Sequence, residues 1–264
     1  MTRNLSYHDQ TIFNTQLKLK SLMTFLPDFC QHFFIGIEHS TQPGTQLRYA
    51  YDLKLFFNYI LKQHPELKTV KNITVKHLDS ISVFEIEQFL SYIKSYIDDK
   101  GIPRHNGHAG IKSKLAAIRS LYNYCFKHGM ISKNTSQLVD IPVIEDKNII
   151  RLNSDQVDQV LNNIATGSLL TGRQNIWNNL YKVRDYAVIS LLLGTGLRVS
   201  ECAGIDLDDI NFSLCAIQIV RKGGNEDRVY FSDEVKAALL NYYNERIFIQ
   251  TKYVVINYSC NTST

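Results

Sequence analysis

Histidine is absent after His128, although the 264-residue sequence has eight histidines, and tryptophan occurs once, at Trp177. No stretch of about 18 uncharged apolar residues is present, which excludes an ordinary membrane-spanning helix. The first ten residues also lack the apolar core of a secretory signal peptide. We therefore expect a cytoplasmic protein that has no membrane partner.

Cysteine is sparse and unpatterned. The five cysteines are odd in number, and none lies in a C-x-x-C or other metal-ligand spacing. This pattern argues against a zinc site and a disulfide framework, and it predicts buried or free thiols in a reducing compartment. The cysteines are Cys30, Cys125, Cys202, Cys215 and Cys260.

The composition is that of a globular protein, with 44% hydrophobic and 20% charged residues, and the length fits two domains. Charge is unevenly distributed along the chain. Residues 1–140 hold 17 basic and 11 acidic side chains, whereas residues 141–264 hold 12 and 14. A basic first half suits a phosphate-binding module, but an ordinary solvated surface explains the same charge equally well.

The most informative motif lies at residues 191–212. An apolar run ends at Gly194-Thr195-Gly196, and Arg198 follows at the start of a helical pattern. The glycines allow a sharp turn, and the unpaired N–H groups of a helix start favour an anion. The Arg198 guanidinium adds a fork of donors that matches phosphate oxygens, and Glu201 is one helical turn away, where it can brace the arginine. An exposed ion pair at a helix start is the simpler alternative.

A predicted β-hairpin follows this motif. Residues 216–220 have the alternating, β-branched pattern of a strand, and Gly223 and Gly224 supply a turn. Residues 228–231 form the second strand of the hairpin. Lys222 lies at the rim of this hairpin, 24 residues after Arg198. A lysine in this position is commonly a solubilising charge on a strand edge.

Together these features resemble the tyrosine recombinases, the phage integrase family of DNA strand-exchange enzymes. The Gly-Thr-Gly-Leu-Arg run resembles their first catalytic-arginine motif, and the turn at 221–228 resembles the hairpin that carries their catalytic lysine. The resemblance implies that a tyrosine hydroxyl attacks the scissile phosphate and forms a 3′-phosphotyrosyl link, with no cofactor and no metal. It also implies double-stranded DNA as partner, homo-oligomers on that DNA, and a site-specific recombinase of the bacterial or mobile-element kind.

The resemblance assigns roles to particular residues. Arg198 and a second, downstream arginine would hold the non-bridging oxygens, with Glu201 supporting Arg198, and Lys222 would protonate the leaving oxygen. Four helical patterns before the motif resemble the core-binding, SAM-like domain that the family lays against DNA. They cover about 26–35, 47–62, 82–98 and 111–128, and the candidates for phosphate contacts are Arg48, Lys112, Lys114 and Arg119.

The expected fold is mainly α: a four-helix SAM-like core-binding domain precedes a partial, mostly helical catalytic domain that contains a small antiparallel β-hairpin. The expected divisions are a leading helix (1–24), the core-binding domain (25–140), a linker (141–152), the partial catalytic domain (153–246) and an atypical tail (247–264).

The sequence departs from the family pattern after the hairpin. A His-x-x-Arg motif beyond Lys222 cannot exist, because every histidine precedes residue 129, and no nucleophilic tyrosine is identified. Tyr242 and Tyr243 follow an ordinary helical pattern, whereas Tyr253 and Tyr258 fall in the tail, in an uncharged, β-prone segment that follows its single lysine, Lys252. We expect a C-terminally truncated form, produced by a frameshift or premature stop or else occurring as a natural short form.

Three functions remain open from the sequence. The first is a truncated tyrosine recombinase without strand-transfer activity. The second is a non-catalytic DNA-binding regulator or decoy that occupies recombination sites. The third, an unrelated helical transcription factor or scaffold, requires the pairing of Arg198 with Lys222 to be a coincidence.

Overall fold

The computed structural model describes residues 6–141, 143, 148, 150–221 and 223–246. The chain divides into two compact units, 1–147 and 148–264. Within the described residues, no helix is long and apolar enough to cross a membrane.

Unit 1 is a helical bundle with one short hairpin. Its helices are α1 (Tyr7–Met23), α2 (Phe29–Ile37), α3 (Pro43–Gln63), α4 (Val75–Ser80), α5 (Val83–Tyr92) and α6 (His108–Lys127). The hairpin consists of β1 (Ser95–Ile97) and β2 (Pro103–His105), paired antiparallel with Ser95 opposite His105. Short 3₁₀ turns cover Pro65–Leu67, Val70–Asn72 and Thr135–Leu138.

Aromatic side chains make the centre of this bundle. Phe56 and Phe57 of α3 are completely buried, and the Phe56 ring meets Phe89 of α5 with 5.1 Å between centroids. Gly36 lets α2 approach α6, because a Cβ there would lie 2.2 Å from the ring of Tyr124. The core therefore joins α2, α3, α5 and α6, as the sequence predicts for a four-helix SAM-like domain.

Parts of the sequence-based prediction for unit 1 are wrong. The helix expected over 82–98 ends at Tyr92, since residues 95–97 pair with β2. The helix α4 was not predicted.

Unit 2 combines four helices with a three-stranded sheet. The helices are α7 (Ser154–Thr166), α8 (Gly172–Thr195), α9 (Val199–Ala203) and α10 (Asp233–Arg246). The strands β3 (Ile210–Asn211), β4 (Ala216–Val220) and β5 (Glu226–Tyr230) form an antiparallel sheet in that order. Its core consists of apolar side chains from α8, α9, the sheet and α10.

The caps of α7 and α8 follow from their sequences. The Asn153 side chain accepts from the Gln156 N–H, which confirms the predicted start of α7. At the start of α8, the Gln174 side-chain oxygen accepts from the Thr171 backbone N–H at 3.0 Å and from the Thr171 hydroxyl at 2.9 Å. The helix α8 therefore begins at Gly172.

Candidate nucleic-acid interface

A tight turn between α8 and α9 presents Arg198. α8 ends at Thr195, and Gly196 adopts the left-handed conformation at φ +67°, which glycine reaches without strain. Its N–H donates to the Leu192 carbonyl at 3.0 Å, so the turn closes on the end of α8. Arg198 then forms the N-cap of α9, as the predicted turn requires.

Glu201 braces Arg198 through two hydrogen bonds. Its Oε2 accepts from the Arg198 backbone N–H at 2.9 Å, and its Oε1 accepts from Nη1 of the Arg198 guanidinium at 2.7 Å. The Glu201 side chain is only 4% exposed, whereas that of Arg198 is 64% exposed. The carboxylate is therefore a buried anchor beneath an arginine that faces solvent.

A second arginine, Arg221 at the end of β4, reaches the same carboxylate. Its Nη1 lies 3.3 Å from Glu201 Oε2, and its Nε donates to Asp227 Oδ2 at 3.0 Å. Sequence reasoning missed this residue. The available signal was its position directly before Lys222, in the turn that resembles the family's hairpin.

The electrostatics of this cluster favour ionised carboxylates. Hydrogen bonds from the Arg198 backbone and guanidinium, together with the Arg198 and Arg221 charges, hold the pKa of Glu201 below its usual value despite its burial. The Arg221 hydrogen bond likewise lowers the pKa of Asp227. At neutral pH the cluster thus consists of two guanidinium groups and two carboxylates.

Lys222, the expected partner of Arg198, lies outside the described residues, as do Tyr253 and Tyr258. Tyr242 and Tyr243 belong to α10, and Tyr242 is buried. Both are ordinary helix residues, as the sequence predicts.

Two of the expected phosphate contacts in unit 1 are exposed. Arg48 lies on α3, with its guanidinium carbon 6.0 Å from the ring centroid of Tyr49, and Lys112 lies on the first turns of α6. Neither side chain has an ion pair in the part of the chain that the structure describes. Both side chains therefore carry their charge at the solvent-exposed surface of unit 1.

Lys114 is held between helices. Its Nζ donates to the Asn106 side chain at 2.9 Å and lies 3.8 Å from the Asp52 carboxylate on α3. Burial raises the pKa of Asp52, while the Lys114 and Arg48 charges oppose that rise. Lys114 therefore contributes to α3–α6 packing in addition to its charge.

Arg119 forms hydrogen bonds within unit 1. Its Nε donates to the Ser136 carbonyl at 3.1 Å, and its Nη2 donates to the Val139 carbonyl. These contacts fix the 3₁₀ turn at Thr135–Leu138 onto α6, because carbonyls in such a turn need donors that the turn itself does not supply. The guanidinium is engaged inside unit 1.

Metal-ligand chemistry is not apparent in the described parts of the chain, where no group of three or more His, Cys, Asp or Glu side chains could hold an ion. The four described cysteines are free thiols. Burial raises the pKa of Cys125 and of Cys202 to about 11, so both are protonated at neutral pH.

Comparisons with known families cover both units. Residues 24–141 match the phage integrase SAM-like domain, and residues 151–261 match the phage integrase family. The second match extends past Arg246 and covers residues 247–261 of the expected atypical tail.

Curated relatives carry the name tyrosine recombinase. XerC of Caldanaerobacter subterraneus is 26% identical over 248 residues, which are 89% of this chain and 64% of that protein. XerC of Pediococcus pentosaceus is 30% identical over 159 residues, or 60% of this chain and 47% of that protein. This chain thus spans less than two thirds of the length of these relatives.

Solved structures share the fold at low sequence identity. The Tn1549 transposon integrase, in complex with circular intermediate DNA, aligns with a TM-score of 0.55 at 17% identity, over 87% of this chain and 71% of that one. The XerH recombinase, bound to a palindromic difH substrate, aligns with a TM-score of 0.54 at 18% identity, over 86% and 60%. With both of its units matched by family models and its relatives named as recombinases, the chain belongs to the tyrosine recombinases of the phage integrase family.

Proposed function

We propose that this chain binds double-stranded DNA through phosphate contacts from both units, as a protein of site-specific recombination. The observation that carries this proposal is the turn at Arg198. A solvent-facing guanidinium is hydrogen-bonded to a buried carboxylate in the turn that follows α8. Such a side chain keeps donors available for a phosphate while its base is fixed.

Unit 1 supplies the second set of contacts. Arg48 on α3 and Lys112 on α6 are exposed and basic, whereas Lys114 and Arg119 offer fewer free donors because they already bond within the unit. Solved members of the same fold are described in complex with DNA, which supports this assignment. The cytoplasm is the compartment in which we expect this binding.

We further propose that these 264 residues alone form no covalent link to DNA. Within the sequence no His-x-x-Arg follows the hairpin, and the lysine–arginine set is therefore without its second arginine and companion histidine. Groups that act as a unit lose most of their effect when one is removed.

Salt-dependent binding tests the DNA proposal. Fluorescence anisotropy of the full chain with a labelled duplex of mixed sequence should give a steep fall in affinity as salt rises. Arg48→Gln and Lys112→Gln should each flatten the slope of log K against log salt by about 0.9, since each removes one phosphate contact. Lys127→Gln is the matched control, because it removes one exposed charge from the far end of α6.

Affinity that does not change with salt would contradict the binding mode. Unchanged slopes in Arg48→Gln and Lys112→Gln would show that these side chains of α3 and α6 do not contact DNA phosphates. A slope that falls equally in Lys127→Gln would show a response to net charge instead of specific contacts.

A further inference from the structure

Arg221 occupies a bridging position that the proposed phosphate contacts do not explain. It lies at the end of β4, and its side chain reaches one carboxylate on β5 and another on α9. The contacts join the hairpin to the helix start that carries Arg198. Because both Nε and Nη1 face carboxylates, most of this guanidinium is directed inward.

The Glu201 carboxylate contacts both arginines. Oε1 accepts from the Arg198 guanidinium at 2.7 Å, while Oε2 accepts from the Arg198 backbone N–H at 2.9 Å and lies 3.3 Å from Nη1 of Arg221. A carboxylate held on both sides cannot rotate freely about its last bond, so the direction of the Arg198 fork is also restricted. Arg221 is 35% exposed, roughly half the exposure of Arg198, which fits a supporting side chain and not a second solvent-facing one.

The backbone around Arg221 is itself ordered by the turn. The Arg221 N–H donates to the Asn225 carbonyl at 2.7 Å, and the Gly224 N–H donates to the Arg221 carbonyl at 3.0 Å. Gly223 and Gly224 have φ values of +105° and +88°, which side-chain-bearing residues rarely adopt. The side chain therefore starts from a defined backbone position.

We propose that Arg221 is a positioning residue, which orients the Arg198 guanidinium for a DNA phosphate by holding the shared Glu201 carboxylate. The inference rests on the proposed phosphate contact of Arg198. Arg221 acts through Glu201 and does not itself contact DNA. Without Arg221, Glu201 keeps only its two bonds to Arg198, and the Arg198 fork is no longer tied to the hairpin.

A double-mutant cycle on the full chain tests this role, with a labelled duplex of mixed sequence as the probe. Arg198→Ala should reduce the slope of log K against log salt by about 0.9. Arg221→Gln should reduce the slope by a similar amount. The double variant, with Arg198→Ala and Arg221→Gln together, should have the same slope as Arg198→Ala alone. Arg228→Gln is the matched control: it removes the same charge from the same hairpin, and its effect should add to that of Arg198→Ala.

The slope separates positioning from loss of folding. Partial unfolding lowers the fraction of protein that can bind DNA, and with it the signal amplitude. It does not change the slope of log K against log salt, because that slope is set by the molecules that do bind. Arg221→Lys keeps the charge without the planar fork, so it should behave like Arg221→Gln.

Each other outcome overturns the proposal in a distinguishable way. A double variant that loses about 1.8 in slope would mean that Arg221 contacts a phosphate itself. A wild-type slope in Arg221→Gln, with a reduced slope in Arg198→Ala, would refute positioning but leave the phosphate contact intact. An unchanged slope in Arg198→Ala would refute the phosphate contact, and the positioning role with it.

Discussion

Glu201 is a charged group that is almost completely removed from solvent, and it is stabilised by donors on both of its oxygens. A buried charge without partners is strongly destabilising, so the arrangement requires each of its arginines to stay close. The sequence predicts the Arg198–Glu201 pair, because residues three apart on a helix lie side by side. It does not predict Arg221, since that contact joins residues that are 20 apart and depends on how the hairpin packs.

His64 forms a second charged cluster, in unit 1. Its Nδ1 lies 3.1 Å from Glu66 and its Nε2 lies 3.1 Å from Glu85, which also caps α5. The hydrogen bond with Glu85 is the main cause that raises the pKa of His64 above its ordinary 6.5. Protonated His64 therefore ties the end of α3 to the start of α5.

This cluster predicts a pH dependence of stability. Because the folded pKa is raised, the His64 contribution is fully present below pH 6.5 and is lost as the pH rises through the raised pKa. Hydrogen bonds from Ser82 and His64 lower the pKa of Glu85 in spite of its partial burial, so its contribution is present above 4.5 and is lost as the pH falls through that lowered value.

Urea unfolding followed by far-UV circular dichroism should show the effect. Relative to His64→Gln, the wild type should be more stable between pH 4.5 and 6.5. The advantage should be about 1 kcal/mol or less, because the pair is partly exposed, and it should disappear at higher pH. His8→Gln, at an exposed site on α1, should follow the wild-type profile. Parallel profiles for wild type and His64→Gln would rule out the cluster as the source.

At the scale of elements, α8 and α10 pack closely where the arginine turn begins. A Cβ at Gly194 would lie 2.7 Å from Cγ2 of Val235, which is closer than side chains tolerate. Gly194 is therefore required by the approach of α10, and Gly196 by its positive φ. The local structure therefore explains why glycine occupies positions 194 and 196, without reference to phosphate binding.

Gly194→Ala should destabilise unit 2 by about 1–3 kcal/mol, since the added methyl group must displace α10. The fluorescence of Trp177, the only tryptophan and a residue of α8, reports urea unfolding of this unit. Gly172→Ala is the matched control at the start of the same helix, where a Cβ meets nothing within 4 Å. Adding Val235→Ala should recover part of the loss. Equal stability of Gly194→Ala and Gly172→Ala would show that the contact is unimportant.

Most elements follow from local sequence patterns, and the errors have non-local causes. The apolar spacing of Tyr92, Ile93, Tyr96 and Ile97 suits a helix, but pairing of 95–97 with Pro103–His105 makes a strand instead. The short strand β3 was missed because two residues carry no alternating pattern. The Asn153 cap of α7 and the turn after β4 were predictable, since their side-chain and glycine signals are local.

At the scale of the whole molecule, charge and chemistry are divided between the units. Residues 1–140 carry the excess of basic side chains, and the exposed Arg48 and Lys112 lie there. The braced Arg198 belongs to unit 2. The sequence predicts this division from composition and motif, while the internal engagement of Arg119 emerges only from the packed structure.

Trapping of a covalent intermediate tests the central claim most directly, that the 264-residue chain binds DNA without cutting it. The chain is incubated with a labelled pool of nicked duplexes of randomised sequence, and a full-length tyrosine recombinase on its own site serves as the positive control. Binding should be visible on a native gel, but no DNA-linked protein band should remain after denaturation. The reason is that a tyrosine hydroxyl, with an ordinary pKa near about 10, is a poor nucleophile at neutral pH unless neighbouring groups activate it. A DNA-linked band from this chain that Tyr253→Phe or Tyr258→Phe abolishes would contradict the account.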